Sequence, residues 1–149
     1  MADRLAKSRQ DMCNVKMRQE TLRKVMRWIM AAFYIVAGVG HVLRPDAFLP
    51  IVPGWVPFPR EVILFTGLCE LAGAIALLTT RLRALAGIML ALYALCVWPA
   101  NIKHAISHIV LPPIPDTWWY HGPRLAFQPV LIWWALFCAG VIDWPWRAK

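Results

Sequence analysis

Four apolar blocks of about twenty residues each constrain this chain more than any other feature. They cover approximately 25–43, 61–80, 82–101 and 124–143, and a helix needs ~20 such residues to cross a ~30 Å hydrocarbon core. A helix on the surface of a soluble protein would show a polar face recurring every three or four residues. Here, between Ile63 and Leu78, the only ionisable side chains are Cys69 and Glu70, and no charge occurs from Leu85 to Val97. With 60% hydrophobic and 16% charged residues, the 149-residue chain is too apolar for a soluble domain of its size. The expected fold is therefore all-α, a bundle of four transmembrane helices over 25–143. A basic segment, 1–24, precedes it and a short tail, 144–149, follows.

The net charge of +8 does not point to nucleic acid once the basic residues are placed. Arg4, Lys7, Arg9, Lys16, Arg18, Arg23, Lys24 and Arg27 lie at or before the start of the first block, Arg81 and Arg83 between the second and third, and Arg147 and Lys149 after the last. Lys and Arg favour the cytoplasmic side, so an orientation with both termini in the cytoplasm puts twelve of the sixteen inside. Arg44, Arg60, Lys103 and Arg124 are left outside. The expected location is the inner membrane of a bacterium, with the basic N-terminal segment resting on anionic lipid headgroups. No cleavable signal is recognisable in the polar leader. Cys13, Cys69, Cys96 and Cys138 form no C-x-x-C pair, which argues against a disulfide framework and against thiol exchange.

The connections carry their own signals. Residues 44–60 hold five prolines among aromatic and aliphatic residues, and are expected to form no helix but a cap on the outer leaflet. Residues 79–83 read as a tight cytoplasmic hairpin. Residues 101–123 read as a long outer loop with a PPIP run followed by Trp118, Trp119 and Tyr120, rings suited to headgroup level, matched on the inner side by Trp144 and Trp146.

Small residues mark the faces along which transmembrane helices approach. Ala31, Tyr34, Gly38 and His41 share one such face, as do Thr66, Glu70, Gly73 and Ala74. A third stripe runs through Ala84, Gly87, Ala91, Ala94, Trp98 and Asn101, and a fourth through Arg124, Gln128, Ala135 and Ala139. Each carries polar groups toward the outer end. Glu70 lies nine residues beyond Glu61, about 14 Å along a helix at ~1.5 Å per residue, near the bilayer midplane. A carboxylate there is costly unless paired or hydrated, and marks a functional site or an interhelical clamp. Its expected partners are Arg124, His41, Gln128 and Asn101. His41 and Glu70 are the catalytic candidates, with Asn101, Arg124, Gln128 and Thr66 as binding residues. His104 and His108 stand at i, i+4, which on a helix would turn both imidazoles one way, but two ligands fall short of a metal set. The expectation is that no metal is held.

These segments resemble the DoxX-like family of four-helix membrane proteins: GVGHVLRPDAFLPIVPGWVPFPREV, TGLCELAGAIALL, VWPANIKHA and RLAFQPVLIWWA, from about Ala37 to Ala135. The resemblance implies that His41, Pro45, Pro53, Pro57, Gly67, Glu70, Gly73, Pro99, Asn101, Arg124 and Gln128 occupy the family's characteristic positions. It also implies a functionally mixed background that includes quinone-linked sulfur oxidation, redox complexes and assembly factors. The function expected from it is an accessory or assembly subunit of a membrane redox complex, without catalysis of its own. The alternative is a component that binds a quinone, a lipid or another small molecule in a polar pocket in the outer half of the bundle. A transporter is disfavoured, because four spans without a repeat leave little room for alternating access.

Overall fold

The computed structural model describes residues 2–110 and 115–145. Its elements are the helices α1 (Ala2–Leu43), α2 (Pro59–Leu78), α3 (Arg83–Ile106) and α4 (Trp118–Cys138), with two short 3-10 turns at Pro45–Ala47 and Leu49–Ile51. Among the described residues there is no strand. The part of α1 from Arg9 to Leu43, together with α2 and α3, gives three helices long and apolar enough to cross a membrane. The fourth is as long as α2, but its first half carries His121, Pro123, Arg124, Gln128 and Pro129, which lower its hydropathy.

The helix limits follow from local chemistry. No glycine or proline interrupts the chain before Gly38, so α1 runs unbroken from the basic segment into the first apolar block, and it stops where Arg44 precedes Pro45. Pro59 opens α2 at the first helical position, where its missing N–H costs nothing, and Glu61 complements the helix dipole. Rather than a loop from residue 101, α3 continues to Ile106 and α4 begins at Trp118. Thus Trp118, Trp119 and Tyr120 form the first turn of α4. At its other end α4 stops at Cys138, short of the expected 143, because Gly140 adopts φ +79°. There Val141 N–H bonds Leu136 O at 2.9 Å and Gly140 N–H bonds Phe137 O at 3.0 Å, the paired closure of a Schellman cap. Most of the PPIP run and Trp146, Arg147 and Lys149 lie outside the described residues.

Each helix packs on two others in the cyclic order α1, α2, α3, α4, and the backbones of the diagonal pairs α1–α3 and α2–α4 do not approach each other. Alanines recur among the buried residues, beside Met30, Leu77 and Phe137, and many large apolar side chains face outward. Ala31, Ala74, Ala91, Ala94 and Ala135 are buried, while Trp28, Val36, Phe65, Ile75, Leu85 and Met89 are exposed. This distribution suits an apolar surrounding in which association depends on close backbone approach rather than on removing large side chains from water. Gly38 and Gly67 face each other between α1 and α2, where a Cβ on Gly38 would lie 2.8 Å from Gly67 O. That approach brings His41 on α1 beside Glu70 on α2. Of the expected small-residue stripe on α3, Ala84 is exposed, whereas Gly87, Ala91 and Ala94 are buried.

The proline-rich segment between α1 and α2 is held down by α3. Lys103 Nζ donates to the carbonyls of Pro50 (2.9 Å) and Val52 (2.5 Å). Replacing it in Lys103→Met removes both bonds while keeping the aliphatic stem, so hydrogen–deuterium exchange of residues 45–58 should accelerate with little change in overall melting. Unchanged exchange in that segment would show that Lys103 does not restrain it.

Candidate functional site

At the end where α1 and α3 finish and α2 and α4 begin, residues of all four helices line a cavity of about 670 Å³. Its walls are mostly apolar, and Phe48, Ile51, Val52, Pro53, Trp55 and Val56 of the proline-rich segment line it as well. All six residues expected to bind or react, His41, Thr66, Glu70, Asn101, Arg124 and Gln128, line this one cavity. An apolar pocket with a few convergent polar groups is the usual form of a small-molecule site.

The polar groups fall into two sets. In the first, Glu70, 3% exposed, accepts a hydrogen bond from Tyr93 O–H at 2.7 Å on Oε1 and lies 2.6 Å from His41 Nδ1 on Oε2. A nitrogen and an oxygen at that distance are hydrogen-bonded, so one proton lies between them. The His41 ring lies against Phe48 at 4.3 Å between centroids, and Tyr34 meets Tyr93 edge-on at 6.1 Å. Thr66 donates to the carbonyl of Ile63 at 2.8 Å, so only its oxygen lone pairs are available to a ligand.

The second set surrounds Arg124. Its guanidinium donates to Asn101 Oδ1 at 2.6 Å and to His104 Nδ1 at 2.7 Å. Because arginine only donates, His104 Nδ1 must be unprotonated, and its proton sits on Nε2, 3.1 Å from the carbonyl of Ile109. Asn101 Nδ2 donates in turn to Gln128 Oε1 at 3.3 Å. Gln128 Nε2 donates to the carbonyl of Ala94, next to the Leu95 carbonyl whose helical donor Pro99 removes. Arg124 thus has neutral side-chain partners, and its cation also lies 5.8 Å from the Tyr120 ring centroid.

Two sequence expectations are corrected by this geometry. Arg124 does not pair with Glu70: His41 and Tyr93 occupy the carboxylate, and Asn101 and His104 occupy the guanidinium. His104 and His108 do not share a helix face either, since α3 ends at Ile106 and His108 has φ +46°. His104 is engaged by Arg124 and Ile109, while His108 lies 3.3 Å from Asp116, which also receives His121 Nε2 at 3.2 Å. Among the described residues no group of three or more His, Cys, Asp or Glu could hold a metal ion. Tyr93 and His104 are the site residues that the small-residue stripes missed. The available signal for Tyr93 was a hydroxyl in mid-span, far from either interface, which needs a buried acceptor.

The model of a family described as Domain of unknown function (DUF8561) matches residues 30–139. The chain belongs to that family. The matched stretch contains every residue lining the cavity, so the pocket belongs to the part of the chain that defines the family. No curated protein and no solved structure matches the chain.

Proposed function

We propose that the chain is a four-span inner-membrane protein, both termini cytoplasmic, that binds an amphipathic small molecule of quinone type in the outer half of its bundle. On this reading it serves as the quinone-binding component of a membrane redox complex, which supplies the electrons. The observation that carries the proposal is the convergence of two chemically different polar sets on one apolar cavity. The apolar walls suit a ring and the start of an isoprenoid tail. Arg124 and Asn101 donate to a carbonyl oxygen, while the Glu70–His41 pair accepts from a hydroxyl and can take or return its proton. A ring with oxygen atoms on opposite sides would meet both sets. The likeness of the His41, Glu70, Asn101, Arg124 and Gln128 segments to DoxX-like proteins supports the redox setting.

The experiment is extraction of the protein purified with its native lipids, followed by binding of short-chain quinone analogues read by quenching of tryptophan fluorescence, to which Trp55 in the cavity wall contributes. Retention of a quinone near one per chain, with saturable quenching, is expected. Absence of both would refute the proposal. The accessory-subunit role predicts in addition that mild detergent preserves a larger complex, and migration of the chain alone would remove that part.

A further inference from the structure

The opposite end of the molecule carries a second concentration of buried charge. Arg23 and Arg27, one turn apart on α1, are each only 7% exposed. Arg83 opens α3 one turn before Gly87, and Gly87 is packed against Ala139 so closely that an added Cβ would sit 2.2 Å from the Ala139 Cβ. The next residue, Gly140, lies against Arg23, 3.8 Å from its Nη1 to an added Cβ. These contacts bring three arginines from two helices around the C-terminal cap of α4.

The neighbouring acids do not neutralise them equally. Arg23 takes both: Glu20 at 3.2 Å and Asp143 at 2.5 Å, together with the Ile142 carbonyl at 2.9 Å. Among the described residues, Arg27 and Arg83 have no hydrogen-bond acceptor, and Nε of both Arg23 and Arg83 is buried without a partner. Arg27 lies within electrostatic reach of Arg83 and Arg23, and Glu20, the one carboxylate among the described residues that also reaches it, is already hydrogen-bonded to Arg23. Like charges brought together with little water repel unless an anion joins them. The first turn of α3 adds N–H groups with no side-chain cap, a further positive contribution.

We propose that Arg27 and Arg83, backed by Arg23, form a binding site for a phosphate group at the end of the bundle opposite the cavity. A phosphate presents several acceptor oxygens, and two guanidinium forks can each engage it bidentately. In the orientation proposed above, this end lies at the level of the inner-leaflet headgroups, so an anionic phospholipid is one source of the group and free phosphate is the other. The site is independent of whatever fills the cavity. It also differs from a general attraction of the N-terminal segment for acidic membranes, because it requires two particular arginines, Arg27 buried and Arg83 half-buried, rather than net charge.

The test uses the full chain in detergent micelles, with the thermal midpoint followed during titration with phosphatidylglycerol, phosphatidylcholine or inorganic phosphate. A saturable rise with phosphatidylglycerol assigns the site to lipid, and a rise with inorganic phosphate alone assigns it to a soluble source. Either upholds a phosphate site. R27Q and R83Q should each weaken the effective ligand by about tenfold, the loss of one charge-assisted contact. R18Q removes the same charge from an exposed position and should alter affinity by less than about twofold. Without ligand, R27Q should melt no lower than wild type, because it relieves repulsion. If a glutamine variant does not fold, R27K and R83K keep the charge, lose the fork and should bind several-fold more weakly. No saturable rise in any arm, or equal weakening by R18Q, would overturn the proposal.

Discussion

Gly87→Ala is expected to destabilise the protein by about 3 kcal/mol, at the upper end of the usual cost of overpacking a filled interior. One methyl group has this effect because of what surrounds it. The new Cβ would stand 2.2 Å from the Ala139 Cβ and 2.8 Å from the Ala135 carbonyl oxygen. Both are fixed to the α4 backbone rather than to a flexible side-chain end. No rotamer change relieves the overlap, so α3 and α4 must separate along their contact. Gly122→Ala is the matched control: it is also a helical glycine, but nothing lies within 4 Å of its added Cβ. That variant should be neutral or gain up to about 1 kcal/mol, since alanine restricts the unfolded chain and favours helix. Reversible unfolding in mixed detergent micelles measures both. Equal stability of the two variants would mean that α3 and α4 are not in this close contact.

The same packing explains how far the molecule could be read from its sequence. Three of the apolar blocks recur as helices apolar enough to cross a membrane, because hydropathy over twenty residues depends on composition and not on neighbours. The faces were legible for a related reason: small residues at helical spacing are needed wherever backbones approach, and Gly38, Gly87 and Ala135 of the expected stripes lie at such approaches, although Gly67, which faces Gly38, was not on the expected stripe. The limits of α4 were not legible. Pro123 and the aromatic run from Trp118 read as the end of a loop, yet they form the start of α4, while Arg124 and Gln128 just beyond them are satisfied by Asn101, His104 and the Ala94 carbonyl. Pairing was equally hidden, since Glu70 and Arg124 attract by charge alone but reach different partners once their helices are placed. Arg23 and Arg27 read as members of a basic tail, whereas both are buried, Arg23 against Asp143 and Gly140 from the end of α4.

Glu70→Gln should separate the roles of the carboxylate more sharply than any other substitution in the cavity. The amide keeps the shape, its oxygen can still accept from His41 Nδ1–H, and its NH₂ can donate to the Tyr93 oxygen. The fold should therefore survive with a loss of about 1 kcal/mol, the usual net worth of one altered hydrogen bond. Glu70→Leu leaves both His41 and Tyr93 without their partner and should cost more, about 2 to 3 kcal/mol, through buried unsatisfied groups. The two variants should agree in their effect on a ligand. A hydroquinone presents an O–H to the Glu70–His41 pair, and loss of the charged acceptor should weaken its binding about tenfold. The oxidised quinone presents only carbonyl oxygens, which are served by Arg124 and Asn101, and should lose less than about threefold. Fluorescence titrations of both oxidation states against wild type and Glu70→Gln measure this contrast. Equal weakening of the two forms would mean that Glu70 shapes the cavity without taking part in proton exchange. Preferential weakening of the hydroquinone would identify the Glu70–His41 pair as the group that receives its proton.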